Sequence, residues 1–374
     1  MMNIRIYIGW ILCSIMLTLL TACSSSDGEK QQGPAMLTIY VYSPDKPIIT
    51  RSDVGSVNAS EAENTVNSLQ LWVFDISGNK VGYLSTTETA TLNANQGAIY
   101  HIPVSDEFAQ NKPNVDVYVM ANATASNCGI SATLNENTTR EELIEQAKIT
   151  VNHYGVMAGS LTTAVPTEGL PMAGILTNQP VIGDAPVLRI GTESNIATVP
   201  LTRAVSKLRF FFANTNVANA PALTITGITL NGSLIPNEEY LFSQTKTLTY
   251  NSNAASILAN SVAVEKKESP AQYVYNGQTA QDYENMMVGA GLSQAGPYYL
   301  RESGKLLKGT ISYTIEGVQA TQSATFEMKE LGDFLRNHSW IVYAYYEGLS
   351  GMQVVAVDVT PWVNKSDSHD VYNW

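Results

Sequence analysis

Two residues of this 374-residue chain are set up for covalent chemistry, Cys23 and Arg51. The Cys23 thiol follows an apolar run and two small residues, Thr21-Ala22, a setting in which a thiol becomes a lipid attachment point. Arg51 ends the segment Pro47-Ile-Ile-Thr-Arg51, and the residues after it, Ser52 to Asn64, are mostly polar. Exposed polar segments are where proteolytic nicking concentrates. No other arginine lies between Asp45 and Lys80, and Lys46 precedes a proline. A trypsin-like cut in this region is therefore expected between Arg51 and Ser52.

Other chemical patterns do not complete. His101, His153, His338 and His369 are scattered without metal-ligand spacing, so no metal site is expected. Gly291-Leu-Ser-Gln-Ala295 approaches a nucleophile elbow but ends in alanine and lacks a preceding strand. Gly289-Ala-Gly291 lacks the third glycine and the βαβ surroundings of a dinucleotide loop. Cys128 has no histidine or basic residue near it in sequence and reads as a small buried side chain. Tyr298, Tyr299, Tyr343, Tyr345 and Tyr346 read as strand packing in preference to a sugar-stacking platform. The expectation is a protein that is not an enzyme and has no cofactor.

The elements that carry Cys23 and Arg51 give them meaning. Residues 1–22 read as an export signal, with Arg5 ahead of the apolar core Ile8 to Leu20. That core falls short of the roughly 20 residues a spanning helix needs. Leu20-Thr-Ala-Cys23 resembles a bacterial lipobox, in which cleavage before the cysteine leaves its thiol carrying diacylglycerol. Residues 23–35 contain no large apolar side chain and read as a flexible tether. In Met36-Leu-Thr-Ile-Tyr-Val-Tyr42 the residues Leu37, Ile39 and Val41 alternate with Thr38, Tyr40 and Tyr42, the pattern of a strand with one apolar face. Residues 36–51 thus form a strand on a tether beside a cleavable bond, which makes it removable.

Formal net charge is −12, without basic clusters, which argues against nucleic acid and anionic lipid surfaces as partners. Of three cysteines, Cys13 leaves with the signal and Cys23 is the lipid site, so the folded part has no disulfide. Only 14% of residues are charged, while Thr, Ser, Asn, Val and Tyr are plentiful. Short strands follow, among them Leu69–Asp75, Lys80–Leu84, Ala98–Pro103 and Val115–Met120. Thr139-Arg-Glu-Glu142 is a capping box and marks one helix. Leu170-Pro-Met-Ala-Gly174 is expected to interrupt a loop-rich region. In Leu223 to Leu230 the apolar phase slips at Gly227, where a β-bulge restores a single buried face. Thr310–Glu316, Trp340–Tyr346 and Met352–Val359 complete the series. The reading is all-β: two tandem β-sandwich domains, 36–200 and 201–374, with a minor helix in the first.

The lipobox, the first strand ending at Arg51, Leu170-Pro-Met172, Leu201-Thr-Arg-Ala-Val-Ser-Lys207, Val357-Asp-Val-Thr-Pro-Trp362 and His369-Asp-Val-Tyr-Asn-Trp374 occur in an order that resembles the fimbrillins of Bacteroidia. The resemblance covers nearly the full length. It implies transthyretin-like sandwiches and a subunit of a surface fimbria, delivered as an outer-membrane lipoprotein. It also implies an arginine-specific protease that removes the first strand, and other fimbrial subunits that fill the groove with a C-terminal strand. Donor candidates are Val355, Val357 and Val359, and the terminal Val371, Tyr372 and Trp374; the residues leave the choice open. An unprocessed pilus anchor, or a monomeric lipid-anchored adhesin or glycan-binding protein, stands as the alternative.

Overall fold

Alternating apolar side chains build four large sheets in this computed structural model. It describes residues 34–42, 60–87, 90–91, 97–130, 134–214, 221–231, 234–242, 247–250, 254–264, 293–327, 334–346, 348, 351–359 and 371–372.

The first sandwich begins with β1 (Met36–Tyr42), β2 (Leu69–Asp75), β3 (Lys80–Thr86), β4 (Ala98–Pro103) and β5 (Val115–Ala121). It continues with β6 (Met172–Gln179), β7 (Val181–Asp184), β8 (Val187–Thr192) and β9 (Thr198–Pro200). One sheet joins β7, β8, β1, β9 and β4; the other runs Thr202–Arg203, β6, β5, β2, β3. Leu37, Ile39 and Val41 of β1 meet Leu71, Val73, Val117 and Val119 of the facing sheet in one buried core. Among the described residues, four short helices accompany these strands: α1 (Glu61–Asn64), α2 (Asp106–Asn111), α3 (Ala125–Cys128) and α4 (Arg140–Gln146). The Thr139–Glu142 capping box forms at α4, whose Leu143 is buried. That side chain joins Trp72, Phe74, Tyr118 and Cys128 in a second apolar layer.

The second sandwich contains β10 (Val205–Asn214), β11 (Leu223–Leu230), β12 (Ser293–Arg301), β13 (Lys308–Ile315) and β14 (Gln322–Glu327), then β15 (Ser339–Tyr346), β16 (Met352–Val359) and β17 (Val371–Tyr372). Its sheets are β12-β10-β15-β16-β17 and Ala255–Ser256-β11-β13-β14, with Val262–Val264 also on β11. Leu208, Phe210, Phe212, Ile225, Ile228, Ile311, Trp340 and Val342 fill the space between them. The β11–β13 register shifts between Ile225 and Gly227, so Leu223, Ile225, Ile228 and Leu230 all face the core.

Leu170-Pro-Met-Ala-Gly174 does interrupt a loop-rich stretch, because Met172 opens β6, a strand paired on both edges. Gly174 serves the packing of this strand: a Cβ there would lie 2.5 Å from the Pro200 carbonyl, so close strand approach requires glycine. Elsewhere the structure differs from the sequence expectation. The stretch Ser52 to Asn64 is not loop throughout, because Ser60 caps α1 with a capping box. Within α1, Glu63 is 1% and Asn64 7% exposed. The five tyrosines considered for a sugar platform are all buried, Tyr345 the most exposed of them at 8%. They pack strands together.

Candidate functional site

β1 is held on both edges. Along one it pairs antiparallel with β4, from Met36 opposite Pro103 to Val41 opposite Ala98. Along the other it runs parallel, first to β8 (Met36, Leu37 and Thr38 opposite Val187, Leu188 and Arg189) and then to β9 (Tyr40, Val41 and Tyr42 opposite Thr198, Val199 and Pro200). Its ends are pinned as well: the Met36 N–H donates to the Pro186 carbonyl at 2.8 Å, and the Leu201 N–H donates to that of Tyr42 at 2.9 Å. Gly97, at the mouth of β4, lies so close that a Cβ would be 2.9 Å from the Val41 carbonyl. Among the described residues, the ladder linking β4 to the rest of this sheet runs only through β1.

The two faces of β1 differ. Inward, Leu37 and Val41 are fully buried and Ile39 is 1% exposed. Burial of three such side chains contributes roughly 1.5–3 kcal/mol each. Outward, Thr38 sits between His101 and Arg189, both exposed, and its Oγ1 lies 3.1 Å from His101 Nδ1. An edge strand would have one partner, so β1 is not an edge strand. Taking it out leaves a slot with an apolar floor and two rows of unpaired backbone groups, both costly in water.

Beyond the slot, α1 fastens the chain to the second sandwich. Glu63 accepts from Lys207 Nζ at 2.8 Å and from the Tyr299 hydroxyl at 2.6 Å. Burial pushes the Glu63 carboxyl up, but Lys207, Tyr299 and the Ser60 N–H outweigh it and hold it below the ordinary carboxylate range. Arg203 donates through Nε to the Glu63 carbonyl at 3.1 Å, through Nη1 to Asn337 at 3.0 Å, and through Nη2 to Asn64. A second cluster lies along the same junction. Arg301 donates to the carbonyls of Pro236 and Thr150, and Arg336 donates to Glu302 and lies 3.3 Å from Glu239. These clusters escaped sequence reading, although Ser60-Glu-Ala-Glu63 is a legible capping box.

The structure does not bring all predicted residues together. Leu37, Ile39 and Val41 line the first sandwich, whereas Val355, Val357 and Val359 lie on β16 opposite Tyr343, Ile341 and Ser339. Val371 and Tyr372 form β17, paired with Val357 and Ala356. Cys23, Arg51, Ser52 and Trp374 lie outside the described residues.

No family model and no curated protein matches the chain. A solved structure of a candidate cell adhesion protein from Bacteroides eggerthii does, with TM-score 0.50, 14% identity, and coverage of 87% of this chain and 95% of that one. The chain shares its fold. Lower scores connect it to a candidate cell adhesion protein from Parabacteroides distasonis (TM-score 0.48, 14% identity, 89% and 99% coverage). They also connect it to the tip fimbrial protein Mfa3 from Porphyromonas gingivalis, solved with a C-terminal truncation (0.47, 12% identity, 91% and 99%). At such identities the likeness is one of fold.

Proposed function

We propose that this chain is a subunit of a cell-surface fimbria. It is exported as a lipoprotein through Cys23, opened by cleavage after Arg51, and joined to its neighbours by strand donation. The observation that carries the reading is the position of β1. It is central to its sheet, yet it belongs to the chain's front end and is joined to α1 only through residues 43–59, which contain Arg51. One cut therefore severs β1 from the fold that surrounds it. Ladder hydrogen bonds at roughly 0.5–1.5 kcal/mol each add to the burial of Leu37, Ile39 and Val41, so spontaneous loss of β1 before the cut is rare. The vacated slot offers main-chain pairing along both edges and an apolar floor for alternate side chains, which is what strand addition uses. Because slot and donor lie on different parts of one chain, the contact is heterologous and propagates as a filament.

Trypsin treatment of purified protein tests this. The expected result is polymer with a new N-terminus at Ser52, together with an Arg51→Ala variant that stays a lipid-bearing monomer. An Arg51→Ala variant that assembles as well as the parent would overturn the role of the cut.

A further inference from the structure

We infer that the strand replacing β1 is Met352–Val359 of a second copy, and that it enters running opposite to β1, with Asp358 seated between His101 and Arg189. The inference rests on the strand-donation reading and adds the identity, direction and register of the donor.

The first argument is apolar phase. The slot floor accepts side chains at three alternate positions, those of Leu37, Ile39 and Val41. Val355, Val357 and Val359 supply three apolar residues at that spacing. The terminal segment does not: one phase brings Asp370 with Tyr372 and Trp374, and the other brings His369 with Val371 and Asn373. An aspartate or asparagine on a dry floor costs a desolvated polar group without a partner.

Charge then sets the direction. The outer face of the slot has a basic row at position 38, where His101 and Arg189 flank Thr38 on either side. The Arg189 side chain has no ion-pair or hydrogen-bond partner among the described residues. The row at position 40 is different, with Ile99, 53% exposed, on one side and Thr198 on the other. A donor running with β1 would align Val355, Val357 and Val359 with Leu37, Ile39 and Val41, and would leave Asp358 at position 40 without a cation. Run the other way, Val359, Val357 and Val355 take those positions and Asp358 falls at position 38. That position is only 3% exposed, so a carboxylate there is shielded from water and requires the two basic neighbours. The Thr38 hydroxyl already reaches the His101 ring at 3.1 Å, which shows that a short oxygen-bearing side chain at this position meets His101.

The donor's home also permits the transfer. Among the described residues, β16 has a full-length partner in β15, and its other edge pairs with two residues of β17. In the slot it gains a ladder on both edges.

Cysteine pairing between two cleaved copies tests the inference. Residues directly opposite in an antiparallel pair have Cα atoms about 4.5–5.5 Å apart, within disulfide range. Fibres mixed from Asp358→Cys and Arg189→Cys copies should cross-link, whereas Asp358→Cys with Thr198→Cys should not. Cross-linking at Thr198 would mean a donor parallel to β1 and would overturn the direction. Fibres without either cross-link would mean another donor and would overturn the assignment. Absence of any polymer from cleaved parent protein would remove the strand-donation reading itself, and this inference with it. Charge reversal gives an independent readout on folded protein: Arg189→Glu should slow assembly about tenfold or more, and Asp358→Arg on the incoming copy should restore it. Equal assembly rates with and without Arg189→Glu would also overturn the inference.

Discussion

At the residue scale, the junction between the sandwiches depends on buried charges that survive only in pairs. Lys207 and Glu63 have side chains 6% and 1% exposed, so Lys207→Ala leaves a carboxylate stranded in the interior. Stability should fall by about 3–5 kcal/mol. The surface pair Lys112–Asp184 is held at a similar distance, 2.9 Å, but its aspartate is 97% exposed, so Lys112→Ala should cost about 0–1 kcal/mol. Guanidinium unfolding of the two variants checks the contrast; equal losses would contradict it.

Glu239 makes a pH prediction of opposite sign to Glu63. Burial, with the charge of Glu302, pushes its carboxyl up to about 8, against the pull of Arg336. A folded value above the ordinary 4.5 means its contribution is complete below 4.5 and is lost as pH rises through 8. For Glu63 the folded value is lowered, so its contribution is complete above 4.5 and fades as pH falls through that lowered value. Glu239→Gln should therefore flatten the decline of Tm between about pH 5 and pH 8. A decline as steep as the parent's would contradict the assignment.

At the scale of elements, β1 is part of the core of the uncut chain, and under the proposed function it is absent from the assembled subunit. Ile39→Ala should destabilise the uncut chain by about 2–5 kcal/mol, the range for truncating a buried aliphatic side chain. The same substitution should leave cleaved, assembled fibres unchanged in guanidinium, because β1 is no longer in them. Loss of stability in both would mean that β1 stays in place.

The alternation that exposed β1 to sequence reading is the same physics that seats it, since period two along a strand separates core from surface. The Gly227 bulge was legible for the same reason: only a one-residue insertion reconciles its two apolar phases. Other strands were hidden. β12 contains Pro297, and among the described residues it is the outer strand of its sheet, where a proline leaves no central ladder bond unmade. In β6, Gly174 serves a close approach to Pro200 that only the fold creates. The slot's edges β8 and β9 are short and come from residues 187–200, so nothing local shows that they border β1. Long-range pairing is the part of a β fold that local pattern cannot carry.

At the scale of the whole molecule, the front that the proposed function removes is followed by a fastened remainder. Immediately after the segment containing Arg51, α1 is bound through Glu63 and Asn64 to Lys207, Tyr299 and Arg203. After a cut at Arg51 the first anchoring contacts are therefore those of Glu63 and Asn64, which precede β2 and would hold it in place once β1 had left. The first sandwich would then lack a strand, and in the second, among the described residues, β16 pairs on its outer edge with the two residues of β17. Under the proposed function, these two features would let one subunit complete the next in a heterologous contact.

The central claim is that β1 is lost from the working protein. N-terminal sequencing of subunits sheared from the surface of the source cells tests it most directly. The account predicts chains that begin at Ser52. Fibres or surface subunits that still carry Met36–Tyr42 and an acylated Cys23 would contradict it.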